Sequence, residues 1–340
     1  MGTALVSTLG AASVAEAVTA TMSGNHKTGI EFDSPAGGTD TNAQTFDNNF
    51  TVSLSETTDG GMTISSSFKV MDETTKVDGD AGFTLAFTDG SKLDVIAAGN
   101  AAGSHAVSIP SSAGAEGVAT TSTNSAATGL DFMTGSTALG VEYHTAADFL
   151  ADGLSMSFSA STDNGADAVA TYKTDSHLAI GATYVTDLGD TAVTIGAGIT
   201  ETEGSKTGTK PNADSNGVHI GISAVTGDLT VAVGYADGEV AGSSDENAEE
   251  YTGDVVKAGV KYVTGDLTFN VGLASGEATD NTIGSTGGSA DSIDSTSASV
   301  SYAVAAGVTA LLGYTDVEAT DEGAASDDGS AWYIGANMAF

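Results

Sequence analysis

The chain has 340 residues with 45 glycines, three prolines and 6% aromatics, and its mean hydropathy is +0.04, which leaves few large side chains for a compact core. Forty-five acids against nine lysines and no arginine give a net charge of −36, which excludes nucleic acid as a partner. Cysteine is absent, so disulfides, thiolate metal sites and cysteine nucleophiles are excluded together.

Residues 1–17 read as a removable signal peptide. Met1 to Val14 is small and apolar, and Ala15-Glu16-Ala17 has the small-x-small form of a cleavage site. The positively charged segment that should open such a signal is missing, since no Lys or Arg precedes Lys27. Cleavage leaves Val18 first, takes the acids from 45 to 44 and keeps all nine lysines.

From Val18 onward no window reaches the eighteen consecutive apolar residues of a spanning helix. Period-2 alternation between turn signals instead predicts strands near 18–32, 46–57, 61–72, 81–88, 91–99, 136–144, 153–161, 177–186, 190–200, 216–225, 229–238, 254–264, 267–276, 293–304, 308–317 and 330–340. A seventeenth alternating segment, Asp167 to Lys173, breaks the rhythm of short and long connections that an even-stranded membrane barrel needs, and is set aside. The remaining sixteen place Thr58 to Gly60, Asp89-Gly90, Asp187 to Gly189, Thr226 to Asp228, Gly265-Asp266 and Ala305 to Gly307 on one side. The long connections fall on the other, with Pro35, Pro110 and Pro211 among them, where no ladder bond is lost.

The side chains sort by face. Phe46, Phe50, Val52 and Leu54, or Val193, Ile195 and Ile199, share one face, while Ser, Thr, Gly, Asn and Ala dominate the other. The small polar face could not fill a dry core, so the pattern predicts an all-β, 16-stranded antiparallel transmembrane barrel, one domain over 18–340, with apolar residues toward lipid and a wet interior. Tyr143, Tyr184, Tyr262, Tyr302 and Phe340 fall near one membrane interface; Tyr235, Tyr314 and Trp332 fall toward the other. Lys27, Lys69, Lys92, Lys257 and Lys261 lie on the polar face, which spares them a cost of roughly 2 to 4 kcal/mol at the lipid midplane.

The ending Ala-Trp-Tyr-Ile-Gly-Ala-Asn-Met-Ala-Phe340 and the repeated hairpins Gly227-Asp228-Leu-Thr-Val-Ala-Val-Gly-Tyr235 and Gly265-Asp266-Leu-Thr-Phe-Asn-Val-Gly-Leu273 resemble those of Gram-negative general porins, particularly the alphaproteobacterial ones. The resemblance implies an outer-membrane homotrimer, with Phe340 read by the outer-membrane assembly machinery and a long third loop, about 100–135, folded into the lumen. In such a pore, acids on the loop face a basic cluster on the wall. Here the loop offers Glu116 and Asp131, and the basic wall is limited to Lys27, Lys69 and Lys92.

The implied function is passive diffusion of small hydrophilic solutes and ions. The acidic balance predicts cation selectivity, with lumen-facing Asp94, Glu142, Lys257 and Lys261 weighing more per charge than distant loop acids. No cofactor is required. Asp245, Glu246, Glu249 and Glu250, followed by Asp321, Glu322, Asp327 and Asp328, form acidic loop clusters that could hold Ca²⁺ or Mg²⁺ and bridge to lipopolysaccharide, or stand simply solvated. His26, His105, His144, His177 and His219 are scattered and show no metal-ligand spacing. A secreted acidic structural protein of the surface-layer or adhesin kind is the alternative. An outer-membrane enzyme would need a convergent nucleophile and base, which no Ser, His and acid set supplies.

Overall fold

The computed structural model describes residues 18–35, 39–71, 82–95, 100–111, 140–162, 173–205, 215–241, 249–282, 290–320 and 329–340. Sixteen strands follow in chain order: β1 (Thr19–Pro35), β2 (Thr41–Thr57), β3 (Thr63–Met71), β4 (Phe83–Ala86), β5 (Lys92–Val95), β6 (Gly140–His144), β7 (Leu154–Thr162), β8 (Lys173–Leu188), β9 (Thr191–Ser205), β10 (Ser215–Thr226), β11 (Leu229–Ala241), β12 (Glu249–Thr264), β13 (Leu267–Thr282), β14 (Ala290–Ala305), β15 (Val308–Thr320) and β16 (Gly329–Ala339). Each pairs antiparallel with its sequence neighbours, and β16 pairs with β1 to close the ring. No helix among the described residues is long and apolar enough to cross a membrane.

Every predicted strand is present, with shifted ends. Several run further outward than the alternation suggested, because polar residues beyond the apolar band still complete the ladder. Pro35 closes β1 opposite Gly329 rather than standing in a loop, a terminal position that a residue without an N–H tolerates. Glu249 and Glu250 likewise belong to β12, opposite Thr282 and Asn281 of β13, not to a loop. The segment set aside lies outside the described residues except for Lys173, which opens β8.

The short connections owe their geometry to glycine. Gly227 (φ 57°) and Gly265 (φ 58°) hold the first central position of two-residue hairpins, and the pair Thr226↔Leu229 shows how tightly the first one closes. A positive φ there matches the right-handed twist of the flanking strands and is costly for any side chain. Asp89 turns the β4–β5 hairpin by accepting bonds from Ser91 N (3.0 Å) and Ser91 Oγ (2.7 Å). Those bonds, the hydroxyl's first, hold its carboxyl below the usual value.

Polarity is inverted relative to a water-soluble domain. Val218, Ile220 and Ile222 of β10, and Val231 and Val233 of β11, are exposed on the outer face. Ser157, Ser159, Thr200, Thr202, Ser297 and Ser299 are buried on the inner one. This arrangement is neither the sandwich nor the solenoid that a secreted structural chain predicts. Lipid solvates the outward apolar side chains, and ring closure gives every described strand a neighbour on both sides in a medium that cannot hydrogen-bond a free edge.

Candidate functional site

The interior wall is organised around residues 100–111, which open the connection from β5 to β6. Asn100 Oδ1 accepts from Ala102 N (2.9 Å) and starts a single 3-10 turn over Gly103–His105. The segment then runs along the inner wall through a track of glycines. A methyl group built on Gly181 would lie 2.1 Å from the Ala101 carbonyl oxygen, one on Gly196 2.1 Å from that of His105, and one on Gly259 2.0 Å from that of Pro110. These glycines come from β8, β9 and β12, so the groove exists only because every strand between them keeps its register. Backbone can approach a wall this closely only where no Cβ intervenes.

Polar bonds fasten the segment at its start. Ala101 N donates to Ser159 Oγ (3.0 Å), Ser104 Oγ to Glu142 Oε1 (2.7 Å), and His219 Nε2 to the Ala102 carbonyl (2.8 Å). His105 spans two strands, with Nδ1 2.6 Å from Thr183 Oγ1 and Nε2 2.8 Å from Ser157 Oγ. Burial, reinforced by the nearby imidazoles of His144 and His219, holds His105 below the ordinary histidine value.

Of the sequence-predicted site residues, Asp94 and Glu142 are brought together as direct cross-strand partners on the interior face. Glu142 is 1% exposed. His144 joins them, with Nε2 2.9 Å from Asp94 Oδ2 and 3.7 Å from Glu142 Oε1. Thr84 Oγ1 donates to Asp94 Oδ1. Lys27 forms an ion pair with Asp47 at 3.5 Å, while Lys69 lies on β3 opposite Thr51 and Lys92 on β5 opposite His144. Lys257 lines a cavity of about 360 Å³ together with Val107, Ile109 and Pro110, and Lys261 lines an adjoining one of about 600 Å³ with His105 and Asn270. The docked segment thus runs from carboxylates on β5 and β6 to lysines on β12. Glu116, Asp131, Asp245, Glu246, Asp321, Glu322, Asp327 and Asp328 lie outside the described residues, as do residues 1–17.

On the outer face, Tyr143, Tyr184, Tyr235, Tyr262, Tyr302, Trp332 and Phe340 are exposed. Tyr314 is half-buried against Trp332, with ring centroids 4.6 Å apart. Tyr235 donates its hydroxyl to Asp237 (3.4 Å) and Tyr314 to Asp316 (3.1 Å). Each ring therefore stays in the apolar zone while its polar tip points toward a carboxylate one pleat further out, as an interfacial aromatic should.

The histidines were not legible as a set. Their scattered spacing hides that β6, β10 and the docked segment bring His105, His144 and His219 to one stretch of wall, because neighbours across a ladder are distant in sequence. Tyr333, part of the C-terminal motif, carries no role predicted from the sequence. It is 1% exposed, and its ring covers the interior side of Gly29 and Gly335 where β1 meets β16. The glycine pair Gly29↔Gly335 across that seam is set by register, so alternation carried no signal for it.

Comparison with known proteins supplies the remaining link. Among curated proteins no sequence matches. Solved structures that resemble the fold include a porin (17% identity, 94% of this chain and 100% of that one, TM-score 0.65) and the trimer form of OmpT, an outer membrane protein of Vibrio cholerae (14%, 96% and 100%, TM-score 0.64). An anion-selective porin from Comamonas acidovorans is also similar (12%, 95% and 100%, TM-score 0.64). The model of the Gram-negative porins matches residues 2–322. With the closed sixteen-stranded ring and its outward apolar face, that match makes the chain a member of the Gram-negative porin family, a β-barrel channel of the bacterial outer membrane.

Proposed function

We propose that this porin is a passive, cation-selective diffusion channel for small hydrophilic solutes and ions. The observation that carries the selectivity is the pair of carboxylates, Asp94 and Glu142, on the interior wall beside the docked segment, in a chain of net charge −36. Carboxylates lining a narrow passage lower the energy of a cation there and raise that of an anion. The similarity to an anion-selective porin is one of fold at 12% identity and carries no charge pattern across. Diffusion requires no catalytic group, and the reading assigns none.

The docked segment narrows the passage, with Glu116 and Asp131 in its continuation, Lys27, Lys69 and Lys92 as the basic wall, and Lys257 and Lys261 beside the segment itself. The barrels associate as a homotrimer embedded in lipid and lipopolysaccharide. The acids Asp245 and Glu246, with Glu249 and Glu250 at the start of β12, add to the negative outer mouth and offer weak oxygen sites for Ca²⁺ or Mg²⁺. Residues 1–17 act as the signal peptide, so sequencing of the mature protein should begin at Val18. A start at Met1 would overturn that assignment.

The selectivity is tested by planar-bilayer recording of the purified protein in a KCl gradient. The reversal potential should take the sign of K⁺ preference. Anion preference would overturn the selectivity, and absence of conductance would overturn the channel reading itself.

A further inference from the structure

We propose that Asp94, Glu142 and His144 form a binding site in the lumen wall for a first-row divalent cation of borderline softness, with Zn²⁺ the best match. The three side chains come from adjacent strands, β5 and β6, and their ligand atoms all lie within 4.8 Å of one another. One imidazole nitrogen with two carboxylate oxygens suits Zn²⁺ and its neighbours better than Ca²⁺ or Mg²⁺, which take oxygen alone. Metal–ligand bonds of about 2.0 to 2.2 Å place ligand atoms about 3.3 Å apart in a tetrahedral site. The distances of 2.9 Å from His144 to Asp94 and 3.7 Å from His144 to Glu142 bracket that value. A fourth position is left for water from the lumen.

Charge and orientation support the same assignment. Like charges directly opposite on a ladder destabilise it, and Asp94 and Glu142 are such a pair. Their described basic neighbours are His144 and Lys92, and Lys92 is exposed while Glu142 is 1% exposed. A buried carboxylate needs a compensating partner. The bonding of His144 prepares it as a ligand. Its Nδ1 lies 2.8 Å from Ser157 Oγ, and Ser157 in turn contacts His105, which contacts Thr183. Without a metal, His144 Nε2–H donates to Asp94 Oδ2 (2.9 Å) and Nδ1 accepts from Ser157. A metal would displace that Nε2 proton, and His144 Nδ1–H would then donate to Ser157, the Ser157 hydroxyl to His105 Nε2, and His105 Nδ1–H to Thr183, which keeps every group of the relay bonded while the Nε2 lone pair turns to the metal. This is the outer-shell support that fixes a metal-bound imidazole, and Ser104 and Thr84 do the same for Glu142 and Asp94.

A bound M²⁺ cancels both carboxylate charges at the place that sets cation preference. The site rests on this geometry alone; only its effect on current depends on the channel reading. The test is calorimetric titration of the refolded, full-length porin with ZnCl₂, alongside His144→Gln, Glu142→Gln and Ser157→Ala, with reversal potentials recorded before and after Zn²⁺. Heat-modifiable electrophoretic mobility verifies that each variant is folded. Wild type should bind one Zn²⁺ per barrel. His144→Gln and Glu142→Gln should weaken it more than about tenfold, and Ser157→Ala by about tenfold through orientation alone. Zn²⁺ should shift the wild-type reversal potential toward zero and leave that of His144→Gln in place. Equal affinity in wild type and folded His144→Gln would put the metal on the acidic loops and overturn the site, as would absence of binding. Zn²⁺ binding by a barrel that conducts nothing would support the site while overturning the channel reading.

Discussion

Phe340 shows what one residue contributes to ring closure. Its N–H donates to the Gly24 carbonyl (3.1 Å), its carbonyl accepts from Gly24 N (3.2 Å), and its ring tilts against Phe50 at 6.2 Å. An added Cβ on Gly24 would lie 2.9 Å from that ring, so the small residue and the aromatic are fitted to each other. Deleting Phe340 removes the final backbone pair of the β1–β16 seam and its interfacial aromatic together. Each lost hydrogen bond costs about 1 kcal/mol net in water and more where lipid offers no replacement. Electrophoresis of unheated outer-membrane fractions should show the folded form of the deletion falling to a small fraction of wild type, whereas Phe340→Tyr should assemble. Normal assembly of the deletion would contradict a role in closure. Phe340 was legible from alternation that runs to the last residue, but its partner Gly24, 316 positions earlier by subtraction, was not.

At the scale of the element, the docked segment and its glycine groove illustrate the limits of period-2 reading. Alternation assigned the interior face correctly, yet it treats Gly181, Gly196, Gly198, Gly221, Gly259 and Gly272 as interchangeable small residues. Pairing aligns Gly181 with Gly198, Gly196 with Gly221, and Gly259 with Gly272, and alignment turns single glycines into a channel for backbone. Gly259→Val tests the groove, because its side chain would collide with the Pro110 carbonyl. Overpacking of this kind costs about 1 to 3 kcal/mol, and displacing the segment relieves it. Single-channel conductance of the variant should differ from wild type, and limited proteolysis should cleave it after residue 99 faster than wild type. Unchanged conductance and cleavage would show that the segment does not rest in this groove when the barrel is in a membrane.

For the whole molecule, the balance between loop and lumen charge is decided by screening. The Debye length falls from about 10 Å at 0.1 M to about 3 Å at 1 M salt. Acids outside the barrel should therefore lose influence over that range, while Asp94, partly open to the interior, and Glu142, buried in the wall beside it, retain theirs. Reversal potentials at a fixed activity ratio should decline as the mean salt concentration rises, then level at a residual cation preference. Glu142→Gln should lower that residue of selectivity more than its low-salt value. Complete loss of preference at 1 M in the wild type would assign selectivity to the loops alone.

Composition and alternation determined that the chain makes strands and that apolar side chains face outward, and the even-strand rhythm of membrane barrels reduced seventeen alternating segments to sixteen. These properties follow from local periodicity and from the shortage of large residues to fill a core. Only the tertiary structure decided which residues meet on the inner wall. His144 meets Asp94 and Glu142, and His219 meets the docked segment that carries His105, because strand register, not sequence spacing, sets who lies opposite whom, and a shift of a single residue would have sent a strand's side chains to the other face.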